Sequence, residues 1–428
     1  MSEVAFEDAP FQRAHWKVVT GATAGYVSDG YILGVVGIAL AGAQVQLSLT
    51  PAWLGALGGA SLVGLFLGAL ASGSIADRYG RRAIYAYNML GFISLSLLQL
   101  WVHSAAQLLL IRFLLGLVLG TDYVVCKVLL AEFMPRLGRG RALSMMGVSW
   151  AAGYALAYVA GFMLQGTSPE AWRWILASSA VPALISLPLR LAAPESPLWL
   201  TLVGREAEAR RIIDRWLGEG YGLPRPPAST VAITWSQLLT RQYRLGTFVA
   251  STVYFCLVVP YFAVSTFIPQ VMAALHVAGN EVAGLIYIMG LLLGSVAGFV
   301  VVDWFPRRVF VIGSFVITGV ALLVSVTVAN LPASLVVMAF AVFSCVLSAA
   351  QAQVYVYLPE LFPTAVRASG LGIAVAVSRI GAAAGTSLLP LCVTHFGIHV
   401  ALDICIATLL FGAVIAYLWA PETRHSYI

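Results

Sequence analysis

The sequence predicts an all-α membrane protein of twelve transmembrane helices, arranged as two pseudo-symmetric six-helix halves. Its composition, the length of its apolar runs and an internal repeat lead to this expectation. Of 428 residues, 60% are hydrophobic and 10% charged, against about 25% charged in ordinary soluble domains. The apolar residues come in runs of about twenty or more, the length that crosses a hydrocarbon core of about 30 Å at 1.5 Å per helical residue.

Apolar runs bounded by charge, Pro or Gly place spans at 17–42, 53–75, 83–103, 106–131, 141–164 and 171–192, then at 245–273, 281–302, 309–329, 333–357, 368–393 and 399–420. The polar stretch 193–244 divides two sets of six, so the expected organisation is an N-terminal half (1–192), a linker with a short amphipathic helix (193–244) and a C-terminal half (245–428). Residues Met1 to Lys17 are polar and mixed in charge, and the run after them is too long for a cleavable signal peptide. All five cysteines, Cys126, Cys256, Cys345, Cys392 and Cys405, fall inside spans, where they read as small apolar residues rather than disulfide partners or metal ligands.

The net charge of +6 does not form a continuous basic face, which argues against nucleic acid. The basic residues instead report topology. They lie in alternate gaps: Arg78, Arg81 and Arg82; Arg136, Arg139 and Arg141; seven arginines from Arg205 to Arg244; Arg307 and Arg308; Arg367. The other gaps are nearly free of them, Arg173 excepted. Lys and Arg mark cytoplasmic loops, so a multi-pass protein of the cell inner (plasma) membrane with both termini cytoplasmic is expected.

The halves repeat each other. Asp77-Arg78-Tyr79-Gly80-Arg81-Arg82 returns as Asp303-Trp304-Phe305-Pro306-Arg307-Arg308, a shift of 226. Glu132-x-x-Pro135 with Arg139 returns as Glu360-x-x-Pro363 with Arg367, a shift of 228, and Pro194-Glu195-Ser196 returns as Pro421-Glu422-Thr423, a shift of 227. Three landmarks at nearly one offset argue for duplication, and a parallel six-plus-six repeat is the architecture of rocker-type carriers that hold substrate between the halves.

Gly73-x-x-x-Asp77-Arg78-x-Gly80-Arg81-Arg82 resembles the loop 2-3 signature of the major facilitator superfamily, and Pro194-Glu195-Ser196-Pro197-Leu198-Trp199-Leu200 resembles the sugar-porter motif after helix 6. The resemblance runs over essentially the whole chain. Within that family, Asp29-Gly30-Tyr31 and Ser378-Arg379-Ile380-Gly381 are similar to proton symporters of aromatic and other organic acids, and Arg379 also resembles the helix 11 arginine of animal organic-anion transporters. Gly120-Thr121-Asp122-Tyr123 resembles phosphate:proton symporters. Ile32 replaces the second helix 1 aspartate usual in organic-acid symporters, and the glutamine-rich sugar contacts are missing, which disfavours a hexose.

Five ionisable groups inside the apolar spans carry the chemistry in this reading: Asp29, Arg112, Asp122, Lys127 and Arg379. Each costs about 2.5–3.5 kcal/mol at a helix centre when unpaired, so they pair or line a wet cavity. Asp29, near mid-membrane, is the expected proton-coupling group, with Arg112 its counter-ion and Asp122 nearby. The alternative for Asp29 and Arg112 is a permanent structural pair joining the first and fourth helices. Arg112, Gly116, Tyr123 and Lys127 fall within about 60° on a helical wheel. Lys127, one of only two lysines, either holds a substrate carboxylate or a gate, or pairs with Asp122 or a neighbouring helix. Arg379 suits bidentate capture of a carboxylate; its alternative is a structural arginine on backbone carbonyls. Tyr31, Tyr123, Trp150, Tyr154, Tyr254, Tyr261, Gln351 and Tyr355 complete the candidate pocket, although such stripes serve helix packing too.

The resemblance further implies that Asp77, Arg81, Glu132 and Arg139, and in the second half Asp303, Arg307, Glu360 and Arg367, form a cytoplasmic gate. No phosphate-cradling GxxxxGK[ST] loop is present, and no catalytic, metal or cofactor arrangement competes, so an enzyme is not expected. The expectation is a monomeric secondary transporter performing proton-coupled uptake of a small organic anion by alternating access, its carboxyl and guanidinium groups facing one aqueous vestibule. Alternatives are a proton-driven exporter of drugs or metabolites, a symporter of phosphate, vitamin or sugar-like metabolites, and a sensor on the same fold.

Overall fold

The computed structural model describes residues 4–136, 138–224, 238, 240–277, 280–301, 304–327, 332–362 and 366–423. They form twelve membrane-length helices. In the first half these are α1 (Arg13–Gln46), α2 (Pro51–Tyr79), α3 (Arg81–Leu98), α4 (Ala105–Phe133), α5 (Arg139–Leu164) and α6 (Ala171–Leu191). The second half holds α7 (Arg244–Thr266), α8 (Asn280–Val301), α9 (Arg307–Thr327) and α10 (Ala333–Glu360). It ends in one continuous stretch, Arg367–Trp419, which Gly397 breaks at φ 87° into α11 (367–396) and α12 (398–419).

Local chemistry sets the ends. Thr50 accepts a hydrogen bond from the backbone N–H of Trp53 and Pro51 opens α2, while Ser104 caps α4 by accepting from Gln107 N–H at 3.3 Å. Gly80, at φ 91°, makes the turn from α2 into α3 that a side-chain-bearing residue would strain. Two features were not predicted. Ser178 and Ser179 interrupt α6, with the Ser179 hydroxyl donating to Ser96 Oγ at 2.8 Å, and Phe267 divides the expected span 245–273 into α7 and a separate helix, Ile268–Ala274.

α1 packs along α5, α2 along α4, and α8 along α10. Both described ends of the chain lie on one side, as twelve crossings require. Here the predicted amphipathic segment folds as Glu206–Trp216 and buries Ala209 and Ile213; Ile213 meets Phe6, Ala9 and Ala14. The N-terminal segment straps this linker, with Val4 N donating to Gly220 O at 2.9 Å and Gly222 N to Val4 O at 2.8 Å.

The halves meet most closely at the opposite, far side. A Cβ at Gly37 of α1 would lie 1.8 Å from the Thr266 carbonyl of α7, one at Gly55 of α2 would lie 2.0 Å from the Ser387 carbonyl of α11, and one at Gly284 of α8 would lie 1.8 Å from the Tyr158 hydroxyl of α5. Gln270 Nε2 also donates to the Gly37 carbonyl at 3.4 Å. Towards the termini side, Tyr355 of α10 reaches the first half near Gly147 yet is 42% exposed. Large apolar side chains such as Leu293, Val309, Met338 and Phe411 cover the outer surface, which suits hydrocarbon rather than water.

Candidate functional site

Asp29 of α1 is fully buried, and neither carboxyl oxygen receives a hydrogen bond among the described residues. Its charged neighbours, in order of influence, are Asp122, Arg190 and Lys127. Asp122 of α4 is gripped from α6 by Arg190, whose Nη2 donates to Oδ2 at 2.8 Å and Nη1 to Oδ1. Asn88 Nδ2 adds a donor to Oδ1 at 3.2 Å. Arg190 Nη1 also donates to the Tyr85 carbonyl at 3.0 Å and Nε to the Gly21 carbonyl at 3.3 Å, and the guanidinium lies 4.3 Å over the Tyr85 ring. Gly25 makes room for it, since a Cβ there would sit 1.5 Å from Nη2.

This arrangement corrects the expected pairing. Arg112 is not the counter-ion of Asp29: it is buried and donates from Nη2 to the Ile32 carbonyl at 2.9 Å, one turn beyond Asp29, while Nε and Nη1 have no partner among the described residues. Opposite charge suggested the pairing, but position along each helix could not say which neighbour either group would face. Gly116 packs against Ser61 and Gly64 of α2, so the wheel stripe of α4 does not present one common surface. Asp29 has no exposed surface, so it does not open onto an aqueous vestibule as expected.

Lys127 does not pair with Asp122 either. It stands among three tyrosine rings, 5.9 Å from Tyr26, 5.7 Å from Tyr123 and 5.3 Å from Tyr355, the last contributed by the second half. Arg379 of α11 donates from Nη2 to the Tyr254 hydroxyl at 3.2 Å and lies 5.9 Å over the Tyr254 and Phe262 rings, with Nε unpartnered among the described residues. Gln351 Nε2 donates to the same hydroxyl at 3.5 Å. Lys127 and Arg379 act on each other electrostatically. Two cations, one from each half, thus share a tyrosine-lined space and form no salt bridge to a carboxylate among the described residues.

Trp150 joins the halves on the adjacent wall, its ring centroid 5.3 Å from Tyr154, 6.2 Å from Tyr261 and 6.1 Å from Phe262, with Nε1 unpartnered among the described residues. Tyr31 does not belong to this group: its hydroxyl shares a 2.9 Å hydrogen bond with Ser178 inside the first half.

The gate residues fold into one cluster per half. Arg81 pairs with Asp77 at 2.8 Å and Glu132 at 3.6 Å, and Glu195 accepts from the backbone N–H groups of Arg81 and Arg82 at 3.0 and 3.1 Å. Symmetrically, Arg307 pairs with Glu360 at 3.6 Å, and Glu422 accepts from Arg307 and Arg308 N–H at 2.9 and 3.1 Å. Arg139 and Arg367 turn to backbone instead, donating to the Met134 carbonyl at 2.9 Å and the Phe362 carbonyl at 3.2 Å. Asp303 lies outside the described residues.

Sequence reasoning missed Arg190, Glu195 and Glu422. Arg190 stands at the end of its span, where arginines commonly reach to the interface, although Gly21 and Gly25 on α1 were a sign of something large approaching. The two glutamates were visible as a repeat, without their capping role.

A model of the sugar (and other) transporter family matches residues 11–428. The chain belongs to that family. Within it, the chain is 38% identical over 425 residues to the inner membrane metabolite transport protein YgcS of Escherichia coli K12, covering 99% of this chain and 95% of that protein. It is 24% identical to the niacin transporter NiaP of Acinetobacter baylyi, over 98% and 96% of the two chains, and 27% identical to the gallate transporter of Pseudomonas putida, over 89% and 86%. The solved structure of the E. coli xylose transporter XylE in a partially occluded inward open conformation superposes with a TM-score of 0.79 at 20% identity, over 97% of this chain and 100% of that one. The fold is therefore that of the major facilitator superfamily, and this member of the sugar transporter family is a multi-pass membrane transporter of small molecules, not an enzyme.

Proposed function

We propose that this transporter couples the inward movement of protons to uptake of a small organic anion, an aromatic carboxylate foremost, across the cell inner membrane. The supporting observation is the placement of Lys127 and Arg379: two cations from opposite halves, surrounded by aromatic rings and without a carboxylate partner among the described residues. An anion bridging them satisfies both, and an aromatic one also stacks on the rings of Trp150, Tyr254 and Phe262. The names of the niacin and gallate relatives agree in substrate chemistry.

The arginine-rich gaps on the termini side support a cytoplasmic location for both ends. On that orientation the space between the halves opens inwards, and the far-side glycine contacts close the outer gate. Asp29 carries the proton: its buried carboxyl stands within electrostatic reach of Lys127, so filling or emptying it changes the field at the anion site. Asp77, Arg81, Glu132 and Glu195, with Arg307, Glu360 and Glu422, are the rigid rims that close against each other in the outward-facing state, where exposed ion pairs of about 0.3–1 kcal/mol break easily each cycle.

The direct test is a thermal-shift screen of the purified protein against organic acids, sugars and vitamins, repeated with Arg379→Ala. The proposal expects stabilisation by aromatic carboxylates that the substitution removes. Stabilisation by neutral sugars, indifferent to Arg379, would sink it.

A further inference from the structure

The N-terminal segment and the linker are joined through a histidine that the transport mechanism does not use. His15 lies in the first turn of α1 and is 1% exposed. Its Nδ1 accepts the Gln12 backbone N–H at 2.9 Å, while the Gln12 side chain accepts in return from the His15 backbone N–H, a reciprocal cap on the start of the helix. The same Gln12 side chain donates from Nε2 to the Tyr221 hydroxyl of the linker at 3.2 Å. On either side the segment is fastened further. Val4 exchanges two backbone hydrogen bonds with Gly220 and Gly222, the Arg136 N–H just beyond α4 donates to the Glu7 carbonyl at 2.9 Å, and the Phe6 ring meets Phe133 at 6.1 Å. One imidazole thus sets the Gln12 backbone and, through Gln12, the junction between α1 and the linker.

A backbone N–H can only donate, so Nδ1 is unprotonated and the neutral ring carries its proton on Nε2. A second proton can go only to Nδ1, the atom already in use. Two N–H groups would then point at each other, and a buried cation would stand at the positive end of the helix dipole. No carboxylate offsets that charge. From the N-terminal segment Asp8 pairs with Arg136, from α4 Glu132 pairs with Arg81, and on the linker helix Asp214 is exposed, as are Arg13 and Lys17 on α1 itself. Among the described residues none of these, nor Glu7, acts on His15 electrostatically. The rings of Phe11 and Phe133, with centroids at 5.3 and 5.8 Å, offer a cation about 0.5–1 kcal/mol. Taking an unpaired charge out of water costs roughly several kcal/mol, which decides against a protonated His15 in the closed arrangement.

We propose that His15 is a pH-operated clasp: neutral, it holds the N-terminal segment on the linker, and protonated, it releases it. The step is proton binding alone, from the solution on the side of the two described ends to Nδ1, with the Gln12 hydrogen bond given up in exchange. The clasp is intact above the ordinary imidazole value of about 6.5 and is lost as pH falls below it. The chain beyond Gly222 leads to Leu238, whose carbonyl accepts from Thr247 of α7 at 3.2 Å, so opening the clasp slackens the connection between the halves. With both ends cytoplasmic, a placement that rests on the function proposed above, the clasp opens as the compartment receiving protons acidifies.

Hydrogen–deuterium exchange of the purified protein at about pH 7.5 and about pH 5.5, without substrate or gradient and corrected for intrinsic rates, tests the clasp. In the wild type the Val4, Arg136 and Gly222 amides are expected to be protected at the higher pH and to exchange about tenfold faster or more at the lower one. His15→Gln supplies the amide acceptor usual at this cap position and gains no proton, so it is expected to stay protected at both. His15→Leu has no acceptor and is expected to exchange fast at both. Wild-type amides equally protected at the two pH values, a His15→Gln protein that opens as the wild type does, or a loss of protection shared by the middle of α1 would each overturn the proposal. The wild-type comparison needs no variant, so it stands even if His15→Leu folds poorly. Neither Asp29 nor a substrate enters the measurement, so failure of the clasp and failure of the proposed transport reaction are separate outcomes.

Discussion

Arg190 shows how a membrane interior tolerates a guanidinium. Two carboxylate oxygens, two backbone carbonyls, a sulfur and an aromatic face surround it, and it has no exposure at all. Removing one partner strands the other, a loss of about 3–5 kcal/mol for a buried pair, whereas replacing both by apolar groups restores much of it. Arg190→Met is therefore expected to lower the melting temperature in detergent markedly, and Asp122→Leu/Arg190→Met to recover most of the drop; equal melting of all three would remove the pair from the account. At the anion site, Arg379→Ala is expected to weaken aromatic carboxylate binding about thirty-fold or more, the equivalent of losing a buried charged hydrogen bond, as read by calorimetric titration. The sequence marked Asp29, Asp122, Lys127 and Arg379 because ionisable residues are rare within apolar spans. Their partners were not legible: which of two arginines faces a given aspartate depends on helix rotation and lateral packing, which residue order along one helix does not encode.

Helix ends and crossings carry the next level of argument. Glu195 and Glu422 each lie beyond the last helix of a half, yet cap the third helix of that half, placing carboxylate charge on free N–H groups at the positive end of the helix dipole. Glu195→Ala is expected to cost about 0.5–2 kcal/mol and to loosen the turn at Gly80, visible as faster amide exchange at Arg81 and Arg82; unchanged exchange there would contradict the capping role. At the far side, close helix crossings depend on the missing side chain of Gly37. Gly37→Val is expected to hold α1 and α7 apart, reducing transport at least tenfold while substrate still binds, with transport assays and titration separating the two. The spans and their repeat were readable because a bilayer imposes length and apolarity on every crossing. The break in α6 at Ser178 and Ser179 had a signal that an unbroken apolar run concealed: Pro182 has no N–H to donate to the Ser178 carbonyl and sits in the first turn of the second piece, while the Ser179 hydroxyl is satisfied by Ser96.

At the scale of the whole molecule, two halves tied internally by their own charge clusters touch at the far side and through a thin layer of aromatic residues around Lys127 and Arg379. Ion pairs confined to one half keep each half rigid, while the contacts between halves are apolar and replaceable, which is what rocking of one half against the other requires. The proposed anion and proton sites straddle that divide: Arg379 belongs to the second half, and Lys127 and Asp29 to the first. On the proposed function, coupling means that the halves reorient readily only when the anion and the proton are both present or both absent.

Transport by Asp29→Asn in liposomes addresses that claim most directly, with substrate accumulation and proton entry recorded together under an imposed inward proton gradient. The account predicts that the variant exchanges labelled for unlabelled substrate across the membrane but neither concentrates it nor carries protons. Uphill accumulation accompanied by proton influx in Asp29→Asn would contradict it.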